Sequence, residues 1–312
     1  MNKRERFLAA VNGQQVDRPP VTAWVHFLSD HLDSARTADL HEQFLTTYDW
    51  DLLKVMNDYR YPVPEGVITL EDVKSLLSYK KFSLSEDCFV RQLECLRLLR
   101  ARLDPDLPMI ETIFEPYQQI LRNVGFSQAA NLFRHDEQAA LNAIQTVTET
   151  TCDYIREVRK LGIDGIFLSI NGAIPPHRPR GVTPEQHRVY QKKFAIDVLK
   201  AAEGMVRVLH VHGDHLEINR IWDYPCEVIS VSDRLQGNPS LSALRQKTDK
   251  CLMGGINETR IQEQTLAEIK AEVEDTIAQA GRNRLIIAPG CTMPSFTSAR
   301  NLHYLRDYTR TL

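Results

Sequence analysis

The chain has 312 residues, 43% of them hydrophobic and 25% charged, with a formal net charge of −3. This is an ordinary globular balance, with ample apolar area for one large core. There is no long basic or acidic run, so neither a nucleic-acid backbone nor an anionic membrane surface is an expected partner.

The opening MNKRERFLAAVNG is charged and only briefly apolar, which predicts an amphipathic helix of the mature protein rather than a secretory signal. No apolar run approaches the length of a membrane span. Cys88, Cys95, Cys152, Cys226, Cys251 and Cys291 form no CxxC and no dense framework. They read as reduced thiols, and a cytoplasmic location is expected.

Short apolar, β-branched runs then recur down the chain: PVTAWVHF (20–27), DLLKVMN (51–57), LPMIETIF (107–114), DGIFLSIN (164–171), VRVLHVH (206–212), CEVISVS (226–232), CLMGGIN (251–257) and RLIIAPG (284–290). Near-continuous hydrophobicity suits parallel strands buried on both faces. Helical patterns separate them. Leu141, Ile144, Val147, Thr151, Ile155 and Val158 mark one helix face, and Leu266, Ile269, Val273 and Ile277 another. Thr183-Pro184-Glu185-Gln186 offers an N-cap, a proline at the first helical position and a capping box. Asn238-Pro239 repeats the cap-then-proline signal. Eight strands alternating with helices predict an α/β fold, a (β/α)8 TIM barrel built as a single domain over 1–312. A doubly wound sheet is the competitor, but no GxGxxG or GxxxxGK[ST] is present.

In such a barrel the chemistry sits at the C-terminal ends of the strands. Those ends carry His26, Asn57 with Asp58, Glu115, Asn171, His210 with His212, Asp233, Asn257 with Glu258, and Cys291. His210-Val211-His212 is the sharpest signal. Two residues apart on a strand, the imidazoles face the same side with Cα atoms roughly 6–7 Å apart, so both reach one ion. Cys291 follows the last predicted strand and joins that end of the barrel. Asp233 ends the strand after the histidine pair, and capping the next helix is as good an account of it as ligation. His26, Asn57, Asp58, Asn171 and Asn257 are candidate substrate-binding groups, though each of the asparagines also suits a turn or a cap. His31, His41, His135, His177, His187 and His303 read as surface or satisfied histidines. HVHGDH also matches the HxHxDH of metallo-β-lactamases. That fold needs further downstream ligands, and His303 is the sole later histidine.

RERFLAAVNGQQVDRPPV resembles the start of the uroporphyrinogen decarboxylase superfamily, and YDWDLLKVMNDYRYP, GIDGIFLS, VRVLHVHG and IIAPGCTMP resemble its successive strands. True uroporphyrinogen decarboxylases carry an arginine-rich segment after the first strand. Here that place reads WVHFLSDHL, with no arginine until Arg36. The chain is more similar to the branch of zinc-dependent methyltransferases, whose zinc is held by an HxC pair on the fifth strand, a cysteine after the eighth and often a carboxylate. The resemblance implies Zn2+ at His210, His212 and Cys291, with Asp233 near the carboxylate position. His212 stands where the branch has a thiolate. It further implies catalysis by these four residues, a small-molecule (thiol) acceptor, and a corrinoid or folate-type methyl donor. A corrinoid protein is then a candidate partner, and a homodimer is left open. The alternatives are a metal-free decarboxylase and a non-catalytic partner subunit.

Overall fold

The computed structural model describes residues 1–134 and 136–312, so His135 lies outside the described residues. Among the described residues seven parallel strands run in chain order: β1 Leu53–Val55, β2 Met109–Phe114, β3 Gly165–Ile170, β4 Val206–Val211, β5 Val228–Val231, β6 Cys251–Ile256 and β7 Leu285–Pro289. Each pairs only with its sequence neighbours, and together they curl into a half-barrel with helices between them. No described helix is long and apolar enough to cross a membrane.

The segment predicted as a first strand makes one bridge, Val21 to Ile287 of β7. It lies between the two ends of the sheet. Thr22 N donates to Ile287 O, Ile287 N to Pro20 O, and Asp51 N to Val21 O. A regular ladder is lost for local reasons. Pro19 and Pro20 have no N–H to give. Val21 N donates instead to the Asp51 carboxylate at 2.9 Å, and Thr22 reaches Leu52 O through its hydroxyl at 2.7 Å.

The helices follow their punctuation. Thr183 and Gln186 form the expected capping box, and Thr265 with Glu268 forms another ahead of Leu266–Ala280. The helix read over 141–158 extends over Glu137–Lys160, capped by Asp136. At 238–241 the cap is Ser240 rather than Asn238. Asn238 instead donates to Gly213 O and Ser232 O, tying the loops after β4 and β5 together.

Alternation along the strands sorts two cores. Inward positions Leu52, Ile110, Phe167, Val208, Val228, Met253 and Ile286 pack around Phe7 and Val11 of the N-terminal helix Lys3–Asn12. Outward positions such as Ile166, Leu209, Ile229 and Leu252 join the larger layer under the helices. Burying each of these side chains contributes about 1.5–3 kcal/mol. The inward face therefore becomes polar only near the C-terminal strand ends, where His210 lies in register with Ser169 and Ser230.

Candidate metal centre and its cavity

A cavity of about 240 Å³ opens at that end of the sheet. His210 and His212, one strand repeat apart, line one part of it, and Cys291 joins them from the loop after β7. One ligand atom from each lies within 4.8 Å of the other two, and Cys291 Sγ is 3.6 Å from His212 Nδ1. Bonds of about 2.0–2.3 Å in a tetrahedron separate an N and an S ligand by roughly 3.6 Å, so this edge is already at zinc spacing. A two-nitrogen, one-thiol set is a zinc donor set with one position free.

The surroundings hold these groups in place. His210 stacks on Phe167, with ring centroids 4.8 Å apart, and its Nδ1 lies 3.2 Å from Ser230 Oγ. Such an outer partner fixes the ring and leaves the other nitrogen for a ligand. Burial pushes both imidazoles down from the usual histidine value, His210 furthest, so they are neutral and able to ligate. Burial pushes the Cys291 thiol up to about 11, with the nearby Glu258 charge adding to it. It therefore keeps its proton until a cation displaces it. Gly290 sets the thiol's position: a Cβ there would lie 2.4 Å from Ser232 Cα.

Asp233 is not in this group. Its carboxylate accepts from Gly255 N at 2.7 Å and sits 3.4 Å from Arg234 Nε. The cause is parity. Ser230 and Ser232 share the inward face of their strand, so Asp233 falls with Val231 on the outward side. Asn57 also turns away from the cavity, donating to Glu111 Oε1 at 3.0 Å beside Gln92 and Tyr154. Asn257 closes its own turn, accepting from Thr259 N and Oγ1. Asn171 is buried; its backbone N–H reaches the Glu115 carboxylate, and its side-chain amide makes no hydrogen bond within the described residues. His26 does line the cavity, and Asp58 stands behind it, 2.7 Å from Nδ1. His41 and His187 are buried and satisfied, by Thr37 O with Met56 N and by the Tyr224 hydroxyl.

Three cationic lining groups escaped the sequence reading: Lys54, Arg122 and Arg180. Lys54 is 3% exposed, bonded to Thr112 Oγ1 and Met56 Sδ at 2.8 Å each, with its ammonium 4.3 Å from the Phe167 ring centre. Burial pulls its pKa down to about 7, against the opposing charges of Glu111 and Asp58. Arg122 packs 3.6 Å over Phe114, and burial lowers its pKa to about 10. Arg180 lies 4.2 Å over Phe126. Lys54 had a legible signal, a charge inside an apolar strand. The arginines come from irregular or helical segments with no such pattern.

A family model described as Uroporphyrinogen decarboxylase (URO-D) matches residues 55–312. The chain belongs to the uroporphyrinogen decarboxylase family. The match begins after the N-terminal segment that first suggested it. No curated protein matches the chain at a significant level. Among solved structures it is similar to a methyltransferase from Methanosarcina mazei, at 18% identity and a TM-score of 0.80, over 100% of this chain and 99% of that one. It is also similar to a B12-independent methionine synthase from Shewanella sp. W3-18-1, at 13% identity and a TM-score of 0.57, over 88% of each chain. At these identities the likeness is one of fold.

Proposed function

We propose that this protein is a zinc-dependent methyltransferase that moves a methyl group from a corrinoid or folate-type carrier to a thiol acceptor. The observation that carries the reading is the His210–His212–Cys291 cluster, with its ligand atoms within 4.8 Å of one another, in a cavity open to small molecules. Membership of the family and the fold shared with methyltransferases support it. The same reading takes segment 20–27 as the first strand of a closed eight-stranded barrel, whose C-terminal strand ends form the active face.

His210, His212 and Cys291 would hold the ion, and the acceptor sulfur would take the remaining position. Bound there, zinc supplies Lewis acidity that lowers the pKa of an acceptor thiol from its usual ~8.5. The chain's own groups do the rest. Trp24, Met56 and Phe167 give the cavity apolar walls that limit water. Arg122 and Arg180 present positive charge to the substrate. His212 replaces a thiolate and leaves the site one negative charge poorer. A bound acceptor is then more acidic and less nucleophilic than at a two-cysteine site. A corrinoid protein, docked over the open strand ends, is the proposed donor partner.

The cationic lining favours one second reading, metal-free decarboxylation of an acidic substrate other than a standard porphyrinogen. Methylcobalamin or a methylated corrinoid protein, mixed with a panel of small thiols, separates the two. The methyltransferase loses methyl–cobalt absorbance only when zinc-loaded. No transfer to any thiol, from corrinoid or folate donors alike, would overturn the proposal.

A further inference from the structure

His26 and Asp58 are 32 residues apart in the chain and meet at the cavity wall. Asp58 Oδ1 lies 2.7 Å from His26 Nδ1, and its other oxygen accepts from Ser29 N at 3.2 Å and Ser29 Oγ at 3.3 Å. Burial alone would push this carboxyl up. The hydrogen bond from His26, the largest of the opposing contributions, joins the Ser29 N–H in outweighing burial and holding it down at about 2. An ionised carboxylate only accepts, so Nδ1 carries the hydrogen and the position at which the ring can take a further proton is Nε2. Nε2 has no hydrogen-bond partner among the described residues, and His26 shares the cavity with His212 and Cys291.

The turn that builds this pair is itself strained. Leu28 is left-handed, at φ 53° and ψ 42°, and 71% exposed, so no packing of its side chain explains the conformation. For a non-glycine residue that costs roughly 1–2 kcal/mol, and it directs the next N–H, that of Ser29, at Asp58. Among the described residues no carboxylate lines the cavity, His210 and His212 belong to the metal cluster, Arg122 and Arg180 bring positive charge, and the Lys54 amine is engaged by Thr112 and Met56. His26 is the remaining lining group with a free lone pair and a charge-stabilising partner.

We propose that His26, oriented by Asp58, is the base that takes the acceptor's proton as it enters the His210–His212–Cys291 cluster. This rests on the metal-dependent reading above. In the step the acceptor S–H bond breaks and a bond from hydrogen to His26 Nε2 forms. The electron pair stays on sulfur. The new imidazolium charge lies against the Asp58 carboxylate, and the proton passes to water from a ring that is 36% exposed.

The test uses the full chain loaded with cobalt(II) and no methyl donor. Stopped-flow absorbance follows the thiolate-to-cobalt charge-transfer band as 2-mercaptoethanol is added, and separately an aromatic thiol already ionised at the assay pH. His26→Gln should slow the band with the alkyl thiol by roughly 10²-fold, the scale of general-base catalysis, and leave the aromatic thiol unchanged. Added imidazole should restore the alkyl-thiol rate in His26→Ala. Asp58→Asn should fall between wild type and His26→Gln. Equal slowing with both thiols, or no slowing with either, would overturn the inference while leaving the metal site standing. No band in any of the proteins would overturn the metal reading and this inference with it.

Discussion

Replacing Lys54 by methionine should make the protein more stable. The side chain is buried and no carboxylate contacts it; its hydrogen bonds go to Thr112 and Met56. Burial lowers its pKa from 10.5 to about 7. A lysine whose folded pKa lies below its unfolded value destabilises the fold. The penalty is full below about pH 7, where both states are charged, and fades as the pH rises towards 10.5, where both are neutral. At 1.36 kcal/mol per unit the shift corresponds to at most about 5 kcal/mol. Methionine matches the length and packs against Trp24 and Phe167, so the net gain should be about 1–4 kcal/mol. Urea unfolding of wild type and Lys54→Met at pH 6.5 and 9.5 measures it. The variant should be the more stable at pH 6.5, with the gain shrinking by at least half at pH 9.5. A less stable variant at pH 6.5, or a gain independent of pH, would refute the argument. Methyl transfer should fall in the same variant, because a buried charge kept at such a cost lines the cavity.

Gly290→Ala should destabilise by about 1–3 kcal/mol, since the new Cβ meets Ser232 backbone at 2.4 Å; it should also shift Cys291 and lower zinc content, and full zinc occupancy would show that the loop tolerates the change. His212→Cys should keep zinc and alter the rate with thiol acceptors, whereas a zinc-free variant would mean that the second position demands nitrogen. Uroporphyrinogen should not be decarboxylated at rates typical of enzymes, on the order of 1 per second or faster, because the stretch WVHFLSDHL after the first predicted strand offers no arginine to hold its carboxylates. An anaerobic assay for loss of substrate carboxylates checks this, and rapid turnover would favour the decarboxylase reading.

The site was legible where strand parity decides it. His210 and His212 share a face by the two-residue repeat, and Cys291 follows a strand whose end must lie nearby. The same rule, applied with the strand ending at Ser232, places Asp233 outward, beside Gly255 N. Asn57 and Asn257 were equally good turn residues in sequence; Glu111 on β2 claims the first, and bonding within its own turn claims the second. The pairing of His26 with Asp58 depends on how the chain passes between β7 and β1, and local sequence does not carry that. Nor did the run 20–27 announce that prolines and the Asp51 carboxylate would take its ladder bonds. The seven remaining strands, buried on both faces, were readable from hydrophobicity alone.

X-ray absorption at the zinc edge, with elemental analysis of the same sample, tests the central claim most directly. The account predicts about one zinc per chain, with two nitrogen ligands at ~2.0–2.1 Å and one sulfur at ~2.3 Å. In Cys291→Ser the sulfur shell should vanish. Protein that is active without zinc, or a sulfur shell unchanged in Cys291→Ser, would contradict it.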